Sequence, residues 1–302
     1  MLGYLLLFSA ASYLLLLLSL RRNFKLGLRA TGLLPIALVA GMMAAFAAGA
    51  WPAISKYGLS LFLGVGWDPE RGVFGLLPAL LGTIITSSLA LALAAPLAIG
   101  ASVLINEVLP RRFKQAFASL MDLAAAVPTV VYGLWGMTSL APTLQGLLEA
   151  FGVYMQQFSL LTAAVLLAIM IVPYAAAIMR EGYALVPRPI EEAIYAIGAT
   201  KLEAVLLKLR YAKNYVVGGL LLALGRAMGE TVAVALVVGY NPSRLPTSLL
   251  QGGATLSTLI AVEYEGAAQN PLWAGALFSA ALLLSIFGLA LNFAALFLLT
   301  RR

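Results

Sequence analysis

The sequence predicts an all-α fold, a polytopic helical membrane protein, and three observations carry that prediction. Of the 302 residues, 62% are hydrophobic and only 10% are charged, where soluble domains run at roughly 45–50% and 25%. Apolar stretches near the bilayer-crossing length of about twenty residues recur from one end of the chain to the other. The basic residues crowd into alternate connections between those stretches, which is how a membrane protein records its topology.

About seven transmembrane helices follow, at 2–20, 32–51, 77–106, 118–140, 160–180, 216–238 and 272–300. Each is long enough to cross at about 1.5 Å per residue. Of the 19 basic residues, 15 fall on one side, in the groups Arg21 to Arg29, Arg111 to Lys114, Arg180 to Lys213, and Arg301 with Arg302. Lys56, Arg71 and Arg244 stand on the other side, and Arg226 lies inside a span. The positive-inside rule then puts the C-terminus in the cytoplasm and the N-terminus outside. The 2–20 span has no basic residue ahead of it and two arginines behind it, so it reads as a retained anchor and not a secretory signal. Connections of at most about 35 residues leave no room for a soluble domain, so soluble machinery must come from other chains. No internal repeat is visible, which argues against an inverted-repeat carrier.

Composition also excludes chemistry. With no Cys and no His, the chain lacks disulfides, thiolate nucleophiles, imidazole bases and the usual zinc, haem and iron–sulfur ligands. No lysine follows a glycine, so no Gly-Lys-Ser/Thr phosphate loop exists and no cofactor or nucleotide site is expected. The net charge of +7 belongs to topology, not to nucleic acid. An intramembrane hydrolase would rest on Asp122, which has no second acid or His in its own span.

Between the fifth and sixth spans the residues from Pro187 to Glu203 carry helix punctuation. Pro189 suits a first turn, Glu191 and Glu192 sit where the helix dipole favours anions, and Gly198 suits a left-handed closing residue. Thr200 and Glu203 have capping-box spacing, and Val205, Leu206 and Leu209 give the second helix an apolar face. Ile190, Ala193, Ile194 and Ile197 form a stripe on the first helix. Two readings fit this pair: a knob that docks in a groove of a soluble partner, or an interfacial helix lying on lipid.

The sixth span contains Gly225-Arg226-Ala227-Met228-Gly229-Glu230-Thr231. A helix starting near 216 puts Arg226 about 15 Å deep. An arginine there costs on the order of 2.5–3.5 kcal/mol unless it meets protein, water or a counter-charge. On a continuous helix Glu230 is one turn on and shares its face, while Gly225 and Gly229 form a small-xxx-small pair. Either the two charges pin one helix in a bundle, or they line a pathway. A guanidinium fork suits an anion. Thr83, Thr86, Ser87 and Ser88 on the third span are further candidates for lining it, although such hydroxyls usually bond to their own helix.

Glu192-Ala193 followed by Gly198 resembles the EAA…G loop of permease subunits in binding-protein-dependent ABC importers. The Leu-Pro expected later in that loop reads Leu209-Arg210 here. The segment from Gly225 to Thr231 closely resembles the GRAxGET signature of the PstC-type permeases of phosphate importers, and Gly229 to Val234 favours that type over the sister PstA type. Supporting stretches are 75–83, 126–136 and 253–261, so the resemblance covers about 74–300. It implies a type I importer permease core at 74–300 preceded by anchor helices at 1–60, one span more than the usual six. It implies a multi-pass subunit of a prokaryotic cell membrane that passes inorganic phosphate. A partner hydrolyses the ATP. The implied partners are a PstA-type second permease, an ATP-binding subunit dimer, an extracytoplasmic phosphate-binding protein and membrane lipid. Arg226, Glu230 and Thr231 would line the pathway, and Glu191, Glu192, Ala193 and Gly198 would couple to the ATPase. The residues alone leave open a stand-alone secondary transporter, or a permease for sulfate or molybdate.

Overall fold

The computed structural model describes residues 24–300, with side chains from Gly32 onward. The 2–20 span, with its reading as a retained anchor, and Arg301 and Arg302 lie outside the described residues.

The chain enters as a long helix, α1 (Phe24–Tyr57), followed by a short α2 (Ser60–Leu63) and a two-stranded hairpin of β1 (Trp67–Asp68) and β2 (Val73–Phe74). The third span is α3 (Leu77–Val103), which runs on into a π-helical turn at Leu104–Val108. Next come α4 (Arg111–Ala126), α5 (Thr129–Trp135), a second π turn (Gly136–Leu140) and α6 (Ala141–Ala150). The fifth span is α7 (Leu160–Ala184), and the loop after it forms α8 (Arg188–Ala196) and α9 (Lys201–Tyr211). The remaining elements are α10 (Lys213–Gly229), α11 (Val232–Val237), α12 (Leu256–Ala267) and α13 (Pro271–Thr300).

Small side chains decide which helix is central. Ala163, Ala164, Ala168, Ala175 and Ala176 are buried along α7, and Ala90, Ala94 and Ala98 form an i, i+4 row on α3 that packs into the same core. Small residues let backbones approach closely where lipid offers no hydrophobic drive. Ala223 and Ala227 of α10 and Val234 and Val237 of α11 complete that core. A second core joins Ala53, Leu61, Trp67 and Phe74 to Leu256, Leu259, Ala276 and Ala280, so α1 and the hairpin pack against α12 and α13. By contrast, α1 and α13 leave most of their surface outward, as lipid-facing helices do.

Two expected spans are broken. Where 118–140 was expected as one helix, α4 and the helical run 129–150 meet at a bend of 86°. Pro128 causes it, because the residue before a proline is pushed out of helical ψ, and Val127 has ψ 131°. Before the bend α4 buries none of its residues completely. It carries Phe113, Phe117, Leu120 and Leu123 on an exposed stripe, the pattern of a helix lying along the interface. The expected 216–238 span stops at Gly229 and restarts at Val232. Among the described residues, four single helices and the bent pair are long and apolar enough to cross a membrane.

The two ends of the bundle are held by different polar contacts. Glu107, Lys114, Asp122, Arg180, Glu191 and Lys208 meet at one end. At the other end Tyr57 bonds the Gly72 carbonyl, and Ser243 bonds both the amide and the carbonyl of Trp67.

Candidate functional site

Arg226 and Glu230 do not form the helical pair that their spacing suggests. After Gly229 the backbone turns out of the helix, and Glu230 has φ −69° and ψ 126°. The i, i+4 register ends there. Arg226 stays on α10 with its side chain exposed, and its guanidinium lies over the Tyr174 ring of α7 at 5.5 Å from the centroid. The four ion pairs among the described residues do not include it.

Glu230 instead serves the break. Its Oε1 accepts from the Ala233 amide at 3.4 Å, at the start of α11. Its carbonyl accepts from Ser257 Oγ at 2.8 Å. Thr231 is half-buried, and its hydroxyl donates to the Gly229 carbonyl at 3.3 Å. A broken span leaves unpaired backbone groups at membrane depth, and side chains from neighbouring elements satisfy them. Ser257 is brought there by the 253–258 segment, which docks on α3. The Leu256 amide donates to Thr83 Oγ1 at 2.8 Å, and a Cβ at Gly82 would run into the Ala254 carbonyl oxygen.

The hydroxyls of α3 therefore hold structure. Thr83, Thr86 and Ser87 are buried and donate to Ala79, Gly82 and Thr83 carbonyls of their own helix, and Ser88 is exposed. The small-xxx-small reading of α10 holds for one glycine only. Gly225 lies against Leu291 and Asn292 of α13, but nothing approaches Gly229. Asp122 pairs with Arg180 at 3.4 Å. Among the described residues no group of three or more Asp or Glu side chains could share a metal ion.

The loop between the fifth and sixth spans folds as its punctuation predicts. Pro189 lies in the first turn of α8, and Gly198 closes the helix at φ 82°. The Gly198 amide bonds the Tyr195 carbonyl and the Ala199 amide bonds that of Ile194, the hydrogen-bond pair of a Schellman motif. Thr200 and Glu203 form the capping box of α9 in both directions. The bonds from the Thr200 amide and hydroxyl hold the Glu203 carboxyl below the usual glutamate value. The turn into α10 is made at Ala212 without a proline.

The faces of this pair differ from expectation. Ile194 turns inward and Ile190 is half-buried, whereas Ala193 is open and Ile197 is 79% exposed. On α9 the buried stripe is Ala204 and Lys208, continued by Ala212 just past its end, not Val205, Leu206 and Leu209. The outer apolar surface is made by Ile197, Leu202 and Leu206. Glu191 points inward, to an ion pair with Lys208, while Glu192 is exposed.

Lys208 is the residue that sequence reasoning missed. Counted among the loop's basic residues, it is 3% exposed and bonds Glu107 at 2.8 Å as well as Glu191. Burial works against its ammonium, but the two carboxylates outweigh that and hold its pKa above the ordinary lysine value. Its one sequence signal is its place between alanines at i−4 and i+4.

Residues 94–301 match the family described as the inner membrane component of binding-protein-dependent transport systems. The chain belongs to that family. A "probable phosphate transport system permease protein PstC" of Methanocaldococcus jannaschii is 37% identical over 83% of this chain and 85% of its own length. The corresponding PstC protein of Mesorhizobium japonicum is 36% identical over 79% and 78%. Among solved structures, a bacterial alginate ABC transporter chain superposes with TM-score 0.59 over 94% of this chain and 96% of its own, at 16% identity. The MetNI methionine transporter in an inward-facing form gives 0.51 over 73% and 90%, also at 16%. These two report the fold alone. As a binding-protein-dependent permease component, the chain is a multi-pass membrane subunit whose system includes a binding protein and an ATPase. The stand-alone carrier reading gives way to that.

Proposed function

We propose that this chain forms part of the membrane pathway for inorganic phosphate in an ABC importer, with ATP hydrolysed on a partner subunit. The observation that carries the reading is Arg226. It is a cation on an apolar span, exposed on this chain and ion-paired with no carboxylate among the described residues. An exposed guanidinium is stable at membrane depth only where water, a partner chain or an anion meets it. Its planar fork suits a phosphate oxygen pair. Thr231 adds a hydroxyl at the break, and Glu230 tempers the positive field from beyond ion-pair distance, so that the anion is released as well as admitted. The 37%-identical relative named for phosphate transport supports phosphate over sulfate or molybdate.

On this reading the α8–α9 pair seats on an ATP-binding subunit dimer, with Glu191, Glu192, Ala193 and Gly198 in the coupling loop. A PstA-type permease completes the pathway, and an extracytoplasmic phosphate-binding protein delivers the anion. The core is 74–300, the helices before 60 are anchors, and the end bearing the basic loops is cytoplasmic.

The test uses the complex purified through this chain, reconstituted with its binding protein and offered phosphate, sulfate and molybdate in turn. Phosphate should stimulate both hydrolysis and uptake. Stimulation by sulfate or molybdate without phosphate would overturn the choice of anion, and anion transport with no copurifying ATPase would overturn the whole assignment.

A further inference from the structure

The coupling helix α8 packs on α9, and an ionic chain links it through α9 to the end of α3. Lys208 Nζ stands at the centre of that tie. Glu191 reaches it from the first turn of α8, and Glu107 reaches it from the π turn that ends α3. Glu107 Oε1 also accepts from Tyr183 Oη at 2.8 Å, at the end of α7. The rings of Tyr183 and Tyr195 flank the ammonium at 5.9 Å each. Four elements thus converge on one nitrogen.

Stability is a weak reason for such an arrangement. A buried ion pair recovers in Coulomb energy about what it loses in desolvation, and an apolar replacement is often neutral. What it supplies is position, because a nearly buried ammonium cannot leave either carboxylate without a large penalty. The end of α3 is also pinned locally. Asn106 Nδ2 donates to the Ser102 and Arg180 carbonyls at 3.1 and 3.3 Å, and Lys114 bonds the Asn106 carbonyl. Asn106 and Glu107 both lie inside the π turn at Leu104–Val108, an irregularity that recurs at functional sites in helices. Beside the triad a cleft of roughly 710 Å³ gives the group room to move.

We infer that Lys208 is the positioning residue that carries displacement of the coupling helix α8 through Glu191 and Glu107 into the cytoplasmic end of α3. This rests on the importer reading above and names the connection by which that reading would work. The lysine touches neither cargo nor nucleotide, so its loss separates hydrolysis from transport and leaves each individual site intact.

The experiment compares Lys208→Met, Glu191→Gln and the exposed control Glu181→Gln in the complete reconstituted complex. It reads assembled complex, ATP hydrolysis and anion uptake, using whichever oxyanion stimulates the unmodified complex. Lys208→Met and Glu191→Gln should raise the ATP hydrolysed per anion imported about tenfold, within the usual range of coupling energies, and Glu181→Gln should leave the ratio unchanged. If Lys208→Met fails to assemble, Glu191→Gln decides, since its partly exposed carboxylate is replaced by an amide of the same shape. Uptake and hydrolysis falling together in proportion to assembled complex, or an unchanged ratio in both variants, overturns the inference. An unmodified complex that shows no stimulated hydrolysis overturns the importer reading instead, so the two failures are distinct.

Discussion

The guanidinium of Arg226 rests on the face of Tyr174, 5.5 Å from the ring centre, and not on the carboxylate of Glu230 four residues further along the chain. A π face holds a cation in place by about 0.5–2 kcal/mol and leaves its charge unneutralised. A carboxylate in ion-pair contact would have cancelled the charge. Arg226 is therefore oriented by α7, with its charge met by no ion pair among the described residues.

Arg226→Ala should abolish anion uptake while the complex still assembles, because the exposed side chain contributes little to the core. Arg226→Lys should recover little, since a lysine keeps the charge and loses the fork. Tyr174→Leu should lower uptake less than Arg226→Ala does. Uptake by proteoliposomes loaded with ATP and supplied with the binding protein outside, normalised to copurified ATPase, measures all three.

Losses from Arg226→Ala and Glu230→Ala should add. A true ion pair would show rescue in the double variant, because each single change strands a buried charge at about 3–5 kcal/mol. Here the Glu230 carboxylate accepts one amide at the start of α11, so its truncation costs about 1 kcal/mol, the scale of a single hydrogen bond. Thermal unfolding of the two singles and the double in detergent should give additivity to within about 0.5 kcal/mol.

Gly198→Val should uncouple hydrolysis from uptake. At φ 82° a residue with a Cβ carries a left-handed penalty of about 1–2 kcal/mol, and a β-branched one more. The Schellman closure between α8 and α9 would shift, and with it the surface of Ile197 and Leu202. The check is the ratio of hydrolysis to transport, with normal coupled uptake as the result that contradicts it.

The pH-dependent part of the Lys208 contribution to stability should survive to high pH. Its folded pKa is raised above the unfolded value near 10.5. The contribution is therefore complete below about 10.5 and is lost as pH rises through the folded value. The difference in melting temperature between the native chain and Lys208→Met should stay constant from neutral pH to about 10 and shrink above it.

A reporter fused after Arg302 should read as cytoplasmic, and a tag ahead of Met1 should be cut by protease added to intact cells. The 15-to-3 division of basic residues predicts both. A protected N-terminal tag would favour six spans over seven.

Composition and the alternation of apolar and basic segments are one-dimensional, so they are legible before any packing is known, whereas 118–140 and 216–238 read as single helices and fold as broken ones. A bilayer selects helix length and apolarity segment by segment, without reference to neighbours. The loop between the fifth and sixth spans is readable for a similar reason: Pro189, Gly198, Thr200 and Glu203 act on backbone groups within a few residues of themselves. The bend at Val127-Pro128 was also locally encoded, although a hydropathy pattern runs straight across it. The separation of Arg226 from Glu230 is a matter of packing, because at the break Gly229–Thr231 the Ser257 hydroxyl donates to the freed Glu230 carbonyl and the Ala233 amide donates to its carboxylate. Packing also sets Lys208, whose partners lie 101 and 17 residues away. A charge in a sequence carries no record of which distant carboxylate removes it from water, and burial by neighbours is set only when the helices pack.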